Sequence, residues 1–131
     1  MENESVLVVD DEEVIRDVCT QILESEGCMV TTASSGQEAL QLVDENDYDA
    51  VVTDIMMPDM SGLELLEAIA DRKREMGAVV ITGLGTFEMA TQSDMMGAQE
   101  FVVKPFTPDE LSGAVKKALG RQHPGGNGEV G

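Results

Sequence analysis

Five short apolar runs, typical of β-strands, alternate along this chain with five longer runs of helical periodicity. The predicted strands lie at residues 5–9, 28–33, 49–53, 78–82 and 100–103. The first of them, SVLVV, is apolar on both sides, as is typical of a strand covered by helices on both faces. Strict alternation with short connections predicts a single α/β domain, a doubly wound five-stranded parallel sheet with helices on both faces.

Capping and turn residues delimit the helices. Ser35 followed by Glu38 is a capping-box pattern, and Thr107 followed by Pro108 is typical of a helix start. A fourth helix is predicted at residues 86–96, with a weaker apolar stripe than the others. The first helix is ended by Gly27 and has apolar residues at helical spacing: Val14, Ile15, Val18, Cys19, Ile22 and Leu23.

The C-terminal stretch differs in composition from the rest. Residues 1–121 are predicted to form the domain. Residues 122–131 are rich in Gly and contain one Val as their only core-forming residue. We expect them to be a flexible tail or the start of a linker.

Composition excludes several classes of function. The chain has 26 acidic and 8 basic residues, a net charge of −18. Such a surface repels nucleic acid and anionic membranes, because phosphate binding needs clustered Lys and Arg. No apolar run approaches the ~20 residues that span a bilayer, and no signal-peptide pattern is present, so we expect a cytoplasmic protein. Cys19 and Cys28 lie in apolar stretches without a CxxC pattern and are predicted to be buried thiols.

Polar residues follow four of the predicted strands. Asp10 and Asp11 follow the first strand, Asp54 the third, Thr82 ends the fourth, and Lys104 follows the fifth. Taken singly, each has an ordinary structural explanation, such as a helix cap for Asp10 or a solvated charge for Lys104. The carboxyl ends of parallel strands meet at one edge of the sheet, however, so we expect these side chains to converge there.

The predicted set of side chains suits metal-assisted phosphoryl chemistry. Three carboxylates in one pocket repel one another, and Mg²⁺ relieves this repulsion because it prefers carboxylate, water and phosphate oxygens. An Asp can accept a phosphoryl group as a nucleophile. Lys104 can offset the added negative charge, and Thr82 can donate a hydrogen bond to a phosphoryl oxygen.

Four motifs, VLVVDDEE, VVTDIMMPDMSG, VVITG and FVVKPF, stand in this order and spacing. Together they resemble the receiver domains of bacterial two-component response regulators, and the resemblance covers residues 4–120. It implies the flavodoxin-like (βα)5 architecture of that family. It also implies a signalling phosphoacceptor that assists its own phosphorylation and dephosphorylation, rather than a turnover enzyme.

The resemblance also implies roles for the pocket residues. Asp54 would accept the phosphoryl group. Asp11 would bind Mg²⁺ directly, together with the Asp54 carboxylate and the backbone carbonyl of Met56. Asp10 would contribute through a metal-bound water. Lys104 would pair with the phosphoryl group.

A second set of implied roles concerns switching. Thr82 would move to hydrogen-bond the phosphoryl group, Phe101 would change rotamer with it, and the Lys104–Pro105 bond would be cis. The surface of the fourth helix, fifth strand and fifth helix would then signal to an output domain or protein partner. The phosphoryl donor would be a histidine kinase or a phosphotransfer protein. Homodimerisation through the same surface is common in the family, but no charge pattern here demands it.

Several alternatives remain open from the residues alone. The chain is either a stand-alone phosphotransfer shuttle or the receiver of a longer regulator. A magnesium-dependent phosphohydrolase of the haloacid-dehalogenase type usually needs a second acid two residues after the nucleophile, and this chain has Met56 there. A flavodoxin-like flavin binder needs a Ser-, Thr- and Gly-rich loop where this chain has Asp-Asp-Glu-Glu. A degenerate receiver is disfavoured by the complete set of pocket residues. Met56 and Leu84, both apolar, are expected to flank the pocket and to slow hydrolysis of an acyl phosphate.

Overall fold

The computed structural model describes residues 3–83 and 98–122. Its strands are β1 (Ser5–Val9), β2 (Met29–Ala33), β3 (Ala50–Asp54), β4 (Gly77–Thr82) and β5 (Glu100–Val103). Its helices are α1 (Glu13–Ser25), α2 (Gly36–Glu45), α3 (Gly62–Asp71) and a last helix (Pro108–Gln122).

The five strands form one parallel sheet in the order β2-β1-β3-β4-β5. The register pairs Val9 with Thr53, Asp54 with Ile81, and Thr82 with Val103. The carboxyl ends of β1, β3, β4 and β5 therefore lie side by side at one edge. This confirms the predicted doubly wound, five-stranded parallel sheet.

Apolar side chains cover both faces of the sheet. Val6, Val8 and Val52 point to the face packed by α1 and the last helix. Leu7 and Val51 point to the opposite face, which α2 and α3 cover. The three inner strands β1, β3 and β4 thus bury alternate residues in two different cores. Full burial of one such side chain contributes about 1.5–3 kcal/mol, so these cores hold the strand ends in place.

Two of the predicted helix starts have capping hydrogen bonds. Thr107 Oγ1 accepts from Glu110 N at 3.1 Å, while Glu110 Oε1 accepts from Thr107 N at 2.8 Å, which completes a reciprocal box. Ser35 Oγ accepts from Glu38 N at 3.1 Å, as predicted. The Glu38 carboxylate, however, accepts from Ser34 N at 2.8 Å, so the return bond goes to the residue before the cap.

Helix α1 buries only part of its apolar sequence. Cys19 and Leu23 are fully buried, whereas Val14 is 70% and Val18 is 38% exposed. The helical spacing was correct, but the apolar stripe is wider than the strip of helix that the sheet and the last helix cover. Gly27 follows α1 with a φ of 96°, a conformation that favours Gly at a helix end.

Other sequence predictions lie outside the described residues: the fourth helix at residues 86–96, Leu84, and nearly all of the tail at residues 122–131. They stay predictions. Cys19 and Cys28 are buried, as expected, and they form no disulfide within the described residues. Within the described ranges, no helix is both long and apolar enough to cross a membrane.

Candidate functional site

Asp10 is held rigidly at the end of β1. Its backbone N–H donates to Ala33 O at 3.2 Å, which extends the pairing with β2 by one residue. Its Oδ1 accepts from Glu12 N at 2.9 Å, and its carbonyl accepts from Arg16 Nη1 at 2.8 Å. The residue is only 1% exposed. The Asp10 carboxylate is therefore both buried and fixed in direction.

Asp54 and Asp11 complete a cluster of three carboxylates with Asp10. Asp54 is the last residue of β3 and is 5% exposed, whereas Asp11 is exposed to solvent. Each of the three residues offers one carboxylate oxygen, and these oxygens all lie within 4.8 Å of one another. The structure thus brings together the three acids that the sequence placed at neighbouring strand ends.

Lys104 reaches this cluster from the end of β5. Its Nζ lies 3.4 Å from Asp10 Oδ2, Glu12 Oε1 and Asp54 Oδ2. Its backbone N–H donates to Thr82 O at 2.9 Å, which ties the ends of β4 and β5 together. The Lys104–Pro105 peptide bond is cis, as the family resemblance implied. One ammonium group is therefore shared among three carboxylates.

Burial shifts the ionisation of these groups. The pKa of Asp54 is raised because burial disfavours its charged form, although Lys104 and the Met56 N–H act in the opposite direction. The pKa of Asp10 is raised by burial as well, and the nearby charge of Asp54 adds to this. Burial lowers the pKa of Lys104, but the carboxylates of Asp10 and Asp54 outweigh it and the net shift is upward. The cluster is short of positive charge.

A divalent cation would supply the positive charge that this cluster of carboxylates lacks. Asp10 Oδ2 is buried and has no hydrogen-bond partner among residues 3–83 and 98–122. Lys104 Nζ stands 3.4 Å away, close enough for charge attraction but long for a charge-assisted hydrogen bond. Hard oxygen ligands in a compact group suit Mg²⁺. Asp10, Asp11 and Asp54 could therefore hold a metal ion.

The pocket opens to solvent above the cluster. Its walls are made by Asp11, Glu12, Asp54, Met56, Gly83 and Lys104. Met56 is 63% exposed, and its backbone N–H donates to Asp54 Oδ1 at 3.4 Å. The opening gives a second molecule access to the Asp54 carboxylate.

The two predicted switch residues lie on the strands beside the pocket. Thr82 ends β4 and is fully buried, one residue before the pocket residue Gly83. Phe101 lies in β5 opposite Val80 and packs, partly buried, against the core under α2 and α3. Thr82 thus lies at the strand end where the sequence placed it, and Phe101 lies within β5. Their movements stay predictions.

Sequence reasoning missed two residues that touch this region. Glu12 shares Lys104 with the buried acids, and Asp59 bonds the loop after β3 to the start of α2. The run DDEE contains two acids besides Asp10 and Asp11, and the loop IMMPDMSG contains one, Asp59. Sequence alone did not show which backbone or side chain each extra acid would meet.

Comparison with known proteins gives a consistent result. A family model described as the response regulator receiver domain matches residues 6–116. A putative NtrX-like response regulator of Rickettsia bellii is 39% identical over 86% of this chain and 24% of its own length. The transcriptional regulatory protein FixJ of Azorhizobium caulinodans is 37% identical over 88% of this chain and 55% of its own. The chain thus spans about a quarter to a half of the length of these curated relatives.

A solved structure agrees with the sequence comparison. The response regulator receiver domain protein from Clostridium thermocellum has a TM-score of 0.84 and 36% identity, and the match covers 91% of this chain and 96% of that one.

Proposed function

The chain belongs to the response regulator receiver domain family of two-component systems, and from this premise we propose that Asp54 is its phosphoacceptor. The observation that carries the proposal is the convergence of Asp10, Asp11, Asp54 and Lys104 at one accessible edge of the sheet. Asp54 combines three properties at once. It is fixed by the end of β3, it lines the open pocket, and it is paired with the pocket's lysine.

The transfer we propose is a displacement at phosphorus. A carboxylate oxygen of Asp54 attacks the phosphoryl group of a phosphohistidine on the donor protein. A P–O bond forms and the P–N bond breaks, so that the imidazole leaves and takes up a proton. Lys104 offsets the negative charge that the phosphoryl group adds to Asp54. The N–H of Met56, already directed at Asp54 Oδ1, holds the carboxylate for attack.

We propose Mg²⁺ as the cofactor, with Asp11, Asp54 and the backbone carbonyl of Met56 as ligands and Asp10 contributing through a bound water. When present, the cation would neutralise charge between the carboxylates and the phosphoryl oxygens. The raised pKa of Asp10 and Asp54 supports this, since burial disfavours both charged carboxylates and the Lys104 ammonium does not fully offset that effect. In the same scheme Thr82 hydrogen-bonds the phosphoryl group and Phe101 changes rotamer with it.

The activity proposed is signalling, not turnover. A histidine kinase or phosphotransfer protein supplies the phosphoryl group, and the readout is a changed surface that includes β5 and the last helix. Phosphorylation shifts the domain from an inactive toward an active conformation only insofar as the phosphoryl group interacts better with the active one. The recipient is an output domain or a separate protein partner, and the proposed compartment is the cytoplasm.

Metal titration tests the pocket. Calorimetric titration of the parent with Mg²⁺ should give one site. Asp11→Asn should weaken binding at least about tenfold, because losing a direct ligand should cost no less than losing a group that orients one. Asp17→Asn is the matched control, because Asp17 is also an exposed acid but lies on α1 outside the pocket. Equal affinity in all three proteins would contradict the assignment of the metal site.

A further inference from the structure

The segment between β3 and α3 carries the pocket residue Met56 and is fixed at its far end. Gly62 begins α3 in close contact with the backbone of β3. A Cβ at Gly62 would lie 2.1 Å from Asp54 O and 2.9 Å from Asp54 C. The N–H of Gly62 also donates to Ile55 O at 2.9 Å. The two ends of the loop of residues 55–61 therefore lie next to each other, beside the end of β3.

Asp59 ties the middle of this loop to α2. Its Oδ1 accepts from Gly36 N at 3.4 Å, and its Oδ2 accepts from Gln37 N at 3.2 Å. The next amide, Glu38 N, is already bonded to Ser35 Oγ. The first three amides of α2 thus have hydrogen-bond acceptors, and the Asp59 carboxylate in the pocket loop supplies two of the three. A carboxylate is favoured there because unpaired amides and the helix dipole leave positive charge at a helix start.

Met60 packs the same junction. A Cβ at Gly36 would lie 2.8 Å from Met60 Sδ and 2.9 Å from Met60 Cβ. The absence of a side chain at Gly36 therefore lets the loop lie directly on the start of α2. Asp59 and Met60 together make α2 the outer support of the loop.

We propose that Asp59 is a positioning residue for the pocket, which holds the loop on α2 and thereby fixes Met56 relative to Asp54. The contact it protects is the hydrogen bond from Met56 N to Asp54 Oδ1, which at 3.4 Å is long and breaks with a small displacement. The consequence for metal affinity rests on the proposed function, in which the Met56 carbonyl is a ligand. The consequence for the Met56 N–H does not.

Three variants separate positioning from stability and from charge. Asp59→Ala removes both acceptors, and Asp59→Asn removes the charge but keeps one acceptor oxygen. Ser35→Ala removes the other side-chain cap of α2 without touching the loop. Mutation of a group that orients a metal ligand typically lowers metal affinity by about 10- to 100-fold. Asp59 acts through two long hydrogen bonds, one part-buried and one exposed, so we expect the lower end, a loss of about threefold to tenfold in Mg²⁺ affinity for Asp59→Ala.

Calorimetric Mg²⁺ titration should place Asp59→Asn within about twofold of the parent and Ser35→Ala at the parent value, because neither frees the loop. Equal losses in Asp59→Ala and Asp59→Asn would mean that only charge matters. Equal losses in Asp59→Ala and Ser35→Ala would mean that only the stability of α2 matters. Either result overturns the inference.

A second measurement needs no metal. Amide hydrogen exchange of metal-free protein, followed by NMR, should show faster exchange at Met56 in Asp59→Ala, by about fivefold or more, and no change there in Ser35→Ala. If the parent binds no Mg²⁺, the proposed function fails while this measurement still decides the role of Asp59. Unchanged exchange at Met56 in Asp59→Ala overturns the inference.

Discussion

Replacing Gly62 by Ala should damage both the fold and the pocket, because the added methyl group meets backbone. The Cβ would stand 2.1 Å from Asp54 O, whereas real Cβ contacts are essentially never shorter than 3.0 Å. To remove this clash, the atoms must move apart by about 0.9 Å in a close-packed junction. Either α3 or the backbone of Asp54 itself must therefore shift.

The magnitude follows from two opposing effects. Overpacking of this kind typically costs about 1–3 kcal/mol and sometimes more. Ala is favoured over Gly within a helix by up to about 1 kcal/mol, which offsets part of this cost. Because the clash is with backbone and no side chain can rotate away, we expect the free energy of unfolding to fall by about 2 kcal/mol. A misplacement near 1 Å can slow a positioned reaction about 100-fold, so phosphorylation of Asp54 should slow strongly.

Urea unfolding followed by far-UV circular dichroism suits this test, because the chain has no Trp. Gly113→Ala is the matched control. It lies inside the last helix, and a Cβ there meets nothing within 4 Å. That variant should gain about 0.5–1 kcal/mol. A Gly62→Ala protein as stable as the parent, with an ordinary phosphorylation rate, would refute the reasoning.

Three further predictions concern ionisation, phosphate lifetime and thiol reactivity. The raised pKa of Asp10 and Asp54 means that the folded protein binds protons more tightly at these groups than the unfolded chain. Their charges therefore destabilise the metal-free fold at pH 7, and this cost fades as pH falls toward the ordinary value of 3.8. In urea titrations, Asp54→Asn should be more stable than the parent at pH 7, with a difference that shrinks on acidification; a difference that grows would contradict the sign. Met56→Asn should shorten the lifetime of the acyl phosphate several-fold, because an amide at the pocket wall can orient water where the thioether cannot; an unchanged lifetime would show that Met56 does not exclude water. Cys19 is buried, and burial together with the charge of Asp10 raises its pKa to about 12, so iodoacetamide should leave it unmodified at pH 8 until urea unfolds the chain. Rapid modification of native Cys19 would disprove its burial.

The sheet and the pocket were largely predictable because both depend on local patterns. The runs at Ser5–Val9 and Glu100–Val103 have the predicted bounds, since each is apolar after its first residue and is followed by a charged residue. Once five parallel strands are established, their carboxyl ends must share one edge. The approach of Asp10, Asp54 and Lys104 follows from topology and needs no knowledge of individual contacts.

Other features depend on contacts between distant segments. The helical spacing of Val14 and Val18 did not reveal that α1 has an exposed apolar edge, because exposure depends on how far neighbouring elements extend. The Glu38 side chain bonds Ser34 rather than completing a box with the cap, a choice between two adjacent amides. Asp59 meets α2 from 22 residues away along the chain.

The central claim is that Asp54 accepts a phosphoryl group in a magnesium-dependent reaction. The most direct measurement is the intact mass of the parent after incubation with Mg²⁺ and acetyl phosphate, beside Asp54→Asn and an Mg²⁺-free sample. The account predicts a gain of one phosphoryl group in the parent alone. Phosphorylation of Asp54→Asn to the same extent, or a parent that gains no phosphoryl group under any of these conditions, would contradict it.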